Sequence, residues 1–319
     1  MTVGILGAGA FGTSLSIALS TPNKKLILWT QNYGTVKSIQ ELRENRLRLP
    51  GYILPEQIIA TNDIEEIKDC SIVLIAVPMQ QLRSLLEMHG SILKGKILVA
   101  CCKGFEISSG LGPTSILEIA SEKTAVLTGP SFASDLASGF PTALTIASKV
   151  EGLAEYIQKE LGTEILRLYW SNDPIGAELG GALKNVIAIG CGVTIGAGYG
   201  SSSRAALMTR GYSEIVNIAP YFGAKPETLF GLSGLGDLSL TCMSSESRNY
   251  QYGLALGKQQ PFDKSITVEG VGTSSAIVLK AKEFKVDTPV MVVINNLVLG
   301  KISLKHAIQN LLSRPQRQE

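Results

Sequence analysis

The sequence has 319 residues, of which 45% are hydrophobic and 18% charged; this is the composition of a folded globular chain and excludes an intrinsically disordered one. Its 29 basic and 27 acidic residues leave a net charge of +2, so the charge balance does not indicate binding to nucleic acid or to an anionic membrane. The length exceeds that of a typical single domain, and we therefore expect two domains that share a cleft.

The cysteines and the start of the chain predict a reduced, cytoplasmic protein. Five cysteines, an odd number without the spacing of a zinc or redox site, are scattered through apolar segments: Cys70, Cys101, Cys102, Cys191 and Cys242. The chain starts on a strand-like run, MTVGILGAG, rather than on the basic flank and long apolar core of a signal peptide. The uncharged residues 185–203 contain too many glycines and serines for a membrane span. We therefore expect no metal site, no integral membrane span and a cytoplasmic location.

The first predicted strand, residues 2–6, leads into a glycine-rich turn, GAGAFG, and then into a helical pattern. In a dinucleotide-binding turn of this kind, Gly7 permits the tight turn, Gly9 lets the backbone approach a pyrophosphate, and Gly12 allows the helix to pack closely on the strand. Such a motif alone also fits an ordinary glycine-rich turn. Its position between the first strand and a helix favours the nucleotide site.

Further strand-like runs alternate with helical stretches through the first half of the chain. They cover residues 26–29, 71–78, 96–102, 124–130 and 142–147. This alternation predicts a parallel sheet covered by helices on both faces, the doubly wound Rossmann-type α/β fold. Its ligand binds beyond the carboxyl ends of the strands.

Residues at these strand ends are the first candidates for chemistry. Lys103 directly follows a buried strand, although a solvated loop lysine is the alternative interpretation. The next strand ends in a turn with Gly129, Ser131 and Ala133. Gln31 stands where an NAD site usually carries Asp or Glu, so this position does not distinguish NAD from NADP.

From about residue 171 the strand pattern stops and long helical stretches follow. We therefore expect a dinucleotide-binding domain at 1–171 and an all-helical, substrate-binding domain at 172–319. Lys184 is the one charged residue in residues 179–203. Either it extends to water along its methylene stem, or it lies buried with a lowered pKa.

A partly buried lysine that faces the cofactor can exchange a proton with a hydroxyl or carbonyl oxygen. The two histidines, His89 and His306, lie outside the candidate loops, which disfavours a histidine base. Asp237, in a glycine-rich loop, fits either of two roles: it pairs with Lys184, or it caps a helix. Arg248, beside Asn249 and several serines, has the chemistry to bind a phosphate, but an exposed loop arginine is also common.

Eight sequence blocks occur together: GAGAFGTSL, KG at 103–104, GPSFA at 129–133, GGALKNVIAIG at 180–190, TRG at 209–211, GLGDLSLTC at 234–242, SRN at 247–249 and VEG at 268–270. In this combination, the chain resembles bacterial NAD(P)-dependent glycerol-3-phosphate dehydrogenases over almost its entire length. Related 6-phosphogluconate and hydroxyisobutyrate dehydrogenases share a similar two-domain plan without combining these blocks. The resemblance implies a helical domain like the C-terminal domain of 6-phosphogluconate dehydrogenase.

The resemblance also implies a reaction: reversible hydride transfer between NAD(H) or NADP(H) and C2 of glycerol 3-phosphate, giving dihydroxyacetone phosphate, in the service of phospholipid synthesis. It assigns proton exchange to Lys184, polarisation of the C2 oxygen to Lys103, and a supporting catalytic role to Asp237. The implied substrate-binding residues are Lys103, Gly129, Ser131, Lys184, Asp237, Ser247, Arg248 and Asn249. The implied cofactor-binding residues are Gly7, Gly9, Ala10, Phe11, Gly12, Gln31, Lys103, Ala133, Arg248 and Glu269. A homodimer is expected as well.

Two positions depart from the family pattern, since Ile195 stands near an expected Asp and Ser202 near an expected Asn. Both departures affect the hydrogen bonding expected for the loop between them. Two other functions remain open. A related hydroxyacid dehydrogenase would act on a carboxylate substrate, and a nucleotide-sensing binding module would bind NAD(P)H without turnover.

Overall fold

The structure, a computed structural model, describes residues 1–264 and 266–312. Eight strands form one sheet in the order β10-β9-β8-β7-β6-β1-β2-β5, and β3 and β4 form a separate two-stranded hairpin. The strands are β1 (Thr2–Leu6), β2 (Lys25–Trp29), β3 (Glu44–Asn45), β4 (Leu49–Ile53), β5 (Ile58–Thr61), β6 (Ile72–Ile75), β7 (Ile97–Ala100), β8 (Thr124–Thr128), β9 (Thr142–Ala147) and β10 (Leu166–Ser171). The chain after β10 is helical.

The helices are α1 (Ala10–Leu19), α2 (Tyr33–Leu42), α3 (Leu82–Leu93), α4 (Pro113–Leu117), α5 (Ala133–Ala137), α6 (Leu153–Leu161), α7 (Pro174–Gly196), α8 (Ser201–Ile218), α9 (Pro226–Leu229), α10 (Asp237–Met243), α11 (Arg248–Gly257), α12 (Glu269–Phe284), α13 (Pro289–Val298) and α14 (Leu304–Leu312). Short 3-10 helices lie at Ile64–Ile67, Met79–Gln81 and Ala219–Phe222, and a π-helical turn lies at Leu232–Gly236. The predicted Rossmann-type α/β sheet followed by a helical region is confirmed.

The sheet is predominantly parallel, as expected, and departs from the parallel arrangement at one pair of strands. Six neighbouring strands, from β5 to β8 in the sheet order, are parallel, but β9 pairs antiparallel to β8, and β10 runs parallel to β9. A parallel return needs a crossover that carries the chain back to the opposite edge of the sheet. The five residues of α5 are too few for such a crossover, so the chain re-enters the sheet from the edge at which β8 ends.

The parallel strands place their carboxyl ends along one edge of the sheet. There β1 leads into the glycine turn, β7 into Lys103 and β8 into Gly129. The strand order reverses between β1 and β6, which creates the crevice where ligands of such sheets bind. Apolar clusters cover both faces of the sheet, and a third fills the helical region.

Helix α7 is the centre of the helical region, and it lies against β8 and β9 as well as against α8, α10, α11, α12 and α13. Its N-terminus is capped by Asp173, whose carboxylate accepts a hydrogen bond from the amide of Gly176 at 2.9 Å. It is the one helix of the described residues that is long and apolar enough to cross a membrane. However, 89% of its most apolar stretch of 18 residues is buried inside the protein. The helix is therefore accounted for as the core of this region.

Candidate active site

Two lysines and one aspartate meet where the helical region covers the edge of the sheet. Lys103, after β7, donates from Nζ to Asp237 Oδ2 at 2.6 Å and to the carbonyl oxygen of Gly129 at 3.3 Å. Lys184, in α7, donates to Asp237 Oδ1 and, at 2.8 Å, to the hydroxyl of Thr241. The side chain of Asp237, the first residue of α10, is 1% exposed and bridges the two ammonium groups.

These contacts decide between the interpretations that the sequence left open. Lys184 is only 6% exposed, so it does not extend to water, and Lys103 is not a solvated loop lysine. Asp237 pairs with both lysines instead of capping a helix with its side chain. Burial lowers the pKa of Lys184 to about 7, although the charge of Asp237 opposes that shift.

Sequence reasoning did not single out Thr241, which accepts a hydrogen bond from Lys184, or Asn185, which is bonded to Asn249. Thr241 lies one helical turn after Asp237, so its hydroxyl faces the same ammonium. Asn185 accepts a hydrogen bond from Asn249 Nδ2 at 2.9 Å, and Asn249 Oδ1 accepts from the amide of Gly270 at 2.9 Å. The only signal was their position: Thr241 lies four residues after a candidate acid, and Asn185 follows the lone lysine.

Three other predicted residues, Ser247, Arg248 and Asn249, lie at the N-terminal end of α11. Asn249 is 8% exposed and ties α11 to α7 and to the first turn of α12, so two of its polar groups are bonded to protein. Ser247 caps α11, because its hydroxyl accepts from the amide of Tyr250 at 3.2 Å. Arg248, the first residue of α11, is exposed.

Glu269 begins α12 and is in electrostatic reach of Arg248, Lys103 and Lys184. Burial raises the pKa of its carboxyl, while the positive charges of those three residues lower it. Glu269 and Arg248 thus lie on the same side of the site as Lys103, Lys184 and Asp237, and these five residues form one wall of it. This wall has an excess of positive charge, which suits an anionic ligand.

The turn after β8 forms the opposite wall. Gly129 has a φ of 140°, which favours glycine, and its carbonyl oxygen accepts from Lys103. The hydroxyl oxygens of Thr128 and Ser131 are buried without a hydrogen-bond partner in the described residues. A buried hydroxyl of this kind is available to a ligand or a water molecule. Ala133 begins α5 and is half-buried.

The glycine turn after β1 has the form that a dinucleotide requires. A Cβ on Gly7, whose φ is 113°, would lie 2.7 Å from the carbonyl oxygen of Ala76, whereas a Cβ on Gly9 would meet nothing within 4 Å. Gly9 is the N-cap of α1 and offers no side chain, so the amides of the first turn, at Ala10 and Phe11, face that open space. Gly12 packs against the carbonyl of Gly7. The residues present therefore fit a pyrophosphate held at the helix N-terminus.

Gln31 lies exposed after β2, and its side chain makes no hydrogen bond to the rest of the site within the described residues. The five cysteines are buried and free. Within residues 1–264 and 266–312, the structure has no group of three or more His, Cys, Asp or Glu that could hold a metal ion.

The two departures from the family pattern lie at the far end of α7. Ile195 packs, half-buried, against the apolar cluster of the helical region, and Ser202 is exposed in the first turn of α8. The connection between these helices is closed by backbone hydrogen bonds, including one from the amide of Tyr199 to the carbonyl of Thr194 at 3.1 Å. Neither departure interrupts the contacts of Lys184.

Comparison with known proteins identifies relatives over the whole chain. Residues 2–154 match the sequence profile described as NAD-dependent glycerol-3-phosphate dehydrogenase N-terminus, and residues 173–309 match the profile of its C-terminus. The chain is 48% identical over 321 residues to a Ruegeria sp. protein named glycerol-3-phosphate dehydrogenase, NAD(P)+, with all of both chains covered. It is 50% identical to the protein of that name from Cereibacter sphaeroides, with 99% of this chain and 100% of the relative covered.

Solved structures agree with this result. The crystal structure of glycerol-3-phosphate dehydrogenase from Coxiella burnetii has a TM-score of 0.91 and 31% identity, covering 98% of this chain and 99% of the other. A D-mandelate dehydrogenase solved with NADH has a TM-score of 0.62 and 16% identity, covering 94% and 98%, and shows a shared fold alone.

Proposed function

This chain belongs to the NAD-dependent glycerol-3-phosphate dehydrogenase family, and on that premise we propose that its lysine–aspartate cluster catalyses the reversible reduction of dihydroxyacetone phosphate to glycerol 3-phosphate. The observation that carries the proposal is the buried Lys184, held by Asp237 beside Lys103 at the ligand edge of a dinucleotide-binding sheet. The product is a precursor for phospholipids.

Lys184 exchanges the proton. An ammonium has three N–H groups, and Asp237 and Thr241 accept from two of them, which leaves one to donate to the C2 oxygen of the substrate. With its pKa lowered to about 7, Lys184 can act as an acid in reduction and as a base in oxidation near neutral pH. A guanidinium cannot take over this role, because it does not release its proton readily.

Lys103 polarises the same oxygen. Two of its N–H groups are bonded to Asp237 and to the carbonyl of Gly129, and the third stabilises the negative charge that develops on the C2 oxygen. Asp237 holds both ammonium groups in place, and its negative charge offsets the repulsion between their positive charges. Ser131 and Arg248 contact the substrate, with Arg248 suited to its phosphate.

The glycine turn holds the cofactor. When bound, NAD(H) or NADP(H) supplies or accepts the hydride. The amides at the start of α1 bind its pyrophosphate, and Gln31, Ala133, Glu269 and Lys103 line the remainder of the cofactor groove. Gln31 supplies neither an acidic side chain for a ribose hydroxyl nor a positively charged side chain for a 2′-phosphate. The experiment therefore uses both NADH and NADPH.

The proposal also covers the domain division, the cellular location and the oligomeric state of the protein. A cofactor domain at 1–171 and a substrate domain at 172–319 are supported by the end of the last strand at Ser171 and the start of α7 at Pro174. A cytoplasmic location is supported by the five free, buried cysteines. A homodimer is supported by apolar side chains exposed on the helical region, such as Phe230 and Leu279. Light scattering after size-exclusion chromatography measures the mass.

The proposal is tested by the loss of absorbance of NADH and, separately, of NADPH when the purified chain is mixed with dihydroxyacetone phosphate. Turnover is expected with at least one cofactor, and Lys184→Ala is expected to lower kcat by roughly a thousandfold while NADH still binds. A carboxylate such as a 2-keto acid serves as the control substrate. Unaltered turnover in Lys184→Ala would remove its assigned role, and NADH binding without turnover of any substrate would indicate a binding module instead.

A further inference from the structure

The hairpin formed by β3 and β4 lies outside the main sheet, and one side chain connects it to the glycine turn. Asn45 is 0% exposed, and its Nδ2 donates to the carbonyl oxygen of Ala8 at 3.0 Å and to the hydroxyl of Thr13 at 2.8 Å. Its Oδ1 accepts from the amide of Arg48 at 3.3 Å, within the hairpin. The carboxamide therefore bridges two segments that are more than thirty residues apart in the chain.

The two acceptors of Asn45 lie on either side of the cofactor amides. Ala8 is inside the glycine turn, and Thr13 is in the first turn of α1, where its own amide donates to the carbonyl of Gly9 at 3.0 Å. The start of the turn is held separately, since the amide of Gly7 donates to the carbonyl of Trp29 at 2.9 Å. Asn45 thus fixes the middle of the turn, which no side chain of the turn itself can do because its residues are small or apolar.

We propose that Asn45 is a positioning residue for the dinucleotide. It sets the direction of the amides at Ala10 and Phe11, and it does so without touching the cofactor. The inference rests on the proposed function, because it assigns Asn45 to the cofactor half of that site. A buried carboxamide suits this task, since its two N–H donors and its carbonyl are all used and its replacement leaves acceptors unpaired.

The test uses isosteric substitutions that separate the hydrogen bonds from packing. Asn45→Asp keeps the shape of the side chain but directs a carboxylate at the carbonyl of Ala8, and Thr13→Val removes only the acceptor hydroxyl. Ser38→Ala is the matched control, because the Ser38 hydroxyl also ties the hairpin to the fold, by donating to the carbonyl of Glu44 at 2.7 Å, but does not reach the turn.

The measurements are the dissociation constant of NADH by fluorescence titration and the KM values of NADH and dihydroxyacetone phosphate. Asn45→Asp is expected to weaken NADH binding about tenfold and Thr13→Val about fivefold, with the KM for dihydroxyacetone phosphate changing less than about twofold. Thr13→Ser keeps the acceptor and is expected to bind NADH more tightly than Thr13→Val does. Ser38→Ala is expected to leave NADH binding within about twofold of the unaltered chain.

Several results would overturn the inference. NADH binding that is unchanged in folded Asn45→Asp and Thr13→Val would show that the contacts do not position the turn. An equal loss in Ser38→Ala, or equal losses in both KM values, would indicate a general structural role. If the unaltered chain binds NADH but turns over no substrate, the proposed function fails while the titration still decides the role of Asn45. If it binds only NADPH, the same titrations with NADPH decide the role of Asn45; if it binds neither cofactor, both proposals fail.

Discussion

At the scale of single residues, the site depends on two ammonium groups that share one buried carboxylate. Lys103 lowers the pKa of Lys184, and Asp237 raises it. The pKa of Lys184 is therefore set by repulsion from Lys103, attraction to Asp237 and desolvation. Desolvation is the largest effect, which brings the pKa of Lys184 to about 7. The two neighbours can therefore be used to shift that value in opposite directions.

Reduction requires Lys184 as the ammonium, and oxidation requires it as the amine. We therefore expect kcat for dihydroxyacetone phosphate reduction to fall as pH rises through about 7, and kcat for glycerol 3-phosphate oxidation to rise over the same interval. Asp237→Asn removes the attraction and should move both midpoints to lower pH. Lys103→Met removes the repulsion and should move them to higher pH.

The midpoints are measured from the pH dependence of kcat between about pH 5 and pH 9. Both variants are expected to turn over slowly, because Lys103→Met loses a group that contacts the reacting oxygen and Asp237→Asn loses the carboxylate that positions both lysines. The midpoint and not the rate is therefore the decisive quantity. Shifts in the same direction, or a profile that is flat through neutrality in the unaltered chain, would contradict the assignment of Lys184 as the titrating group.

At the scale of helices and strands, the sequence allowed the parallel strands and the helical region to be predicted, because buried apolar runs and glycine turns are local patterns. It did not reveal the β3–β4 hairpin, β5 or β10, whose residues are partly exposed, or the reversed direction of β9, which depends on how α5 lies. Lys103, Lys184 and Asp237 were identifiable as candidates. Their contact with Thr241, and the link from Asn249 to Asn185, depend on helix packing and could not be predicted from spacing alone.

The packing of α7 explains its many glycines. A Cβ on Gly192 would meet the carbonyl oxygen of Tyr250, and a Cβ on Gly253 of α11 would meet the carbonyl oxygen of Ile189, so the two helices touch through their backbones. Backbone atoms cannot move aside as a flexible side chain can. The close contact holds α11, with Ser247 and Arg248 at its N-terminal end, beside the helix that carries Lys184.

Gly192→Ala is therefore expected to lower the free energy of unfolding by about 2 kcal/mol or more, since the new methyl group must push two helices apart. Gly90→Ala in α3 is the matched control, because the nearest atom to its new Cβ is that of Ala120 at 4.0 Å. That variant should be more stable than the unaltered chain by about 0.5–1 kcal/mol, as alanine is the better helix former. Urea denaturation measures both, and a loss of equal size at the two positions would contradict this account of the packing.

At the scale of the whole molecule, a few polar contacts join the sheet to the helical region. Besides the pair of Lys103 and Asp237, the Ser134 hydroxyl donates to Glu246 at 2.6 Å, and the amide of Thr114 donates to Glu178 of α7 at 2.7 Å. Glu178 is 7% exposed, and its carboxylate lies against Gly112 at the start of α4. Burial, only partly offset by the hydrogen bonds to Thr114, raises the pKa of Glu178 to about 7.

The raised pKa makes the joint between the two regions sensitive to pH. A carboxyl that is protonated more readily in the folded state than in the unfolded state stabilises the fold at low pH, and this stabilisation is lost as pH rises from about 4.5 through about 7. Glu178→Gln keeps an acceptor for the Thr114 amide but cannot ionise. We compare the free energy of unfolding of Glu178→Gln with that of the unaltered chain at each pH. This difference is expected to favour the variant more at pH 8 than at pH 5, by up to about 2 kcal/mol.

The comparison of variant with unaltered chain at each pH cancels the other titrating groups, including Lys184, whose lowered pKa makes stability rise with pH instead. Glu106→Gln is a control of the same chemistry and opposite environment. Arg83 holds the pKa of Glu106 at about 2, so this carboxylate is ionised in the folded state at both pH values and its replacement should cost the same at each. Urea denaturation at the two pH values measures the differences. A Glu178→Gln effect that does not change with pH would show that Glu178 stays ionised in the folded protein, and the contact between α7 and α4 would then be a fixed charged hydrogen bond and not a group that titrates near neutrality.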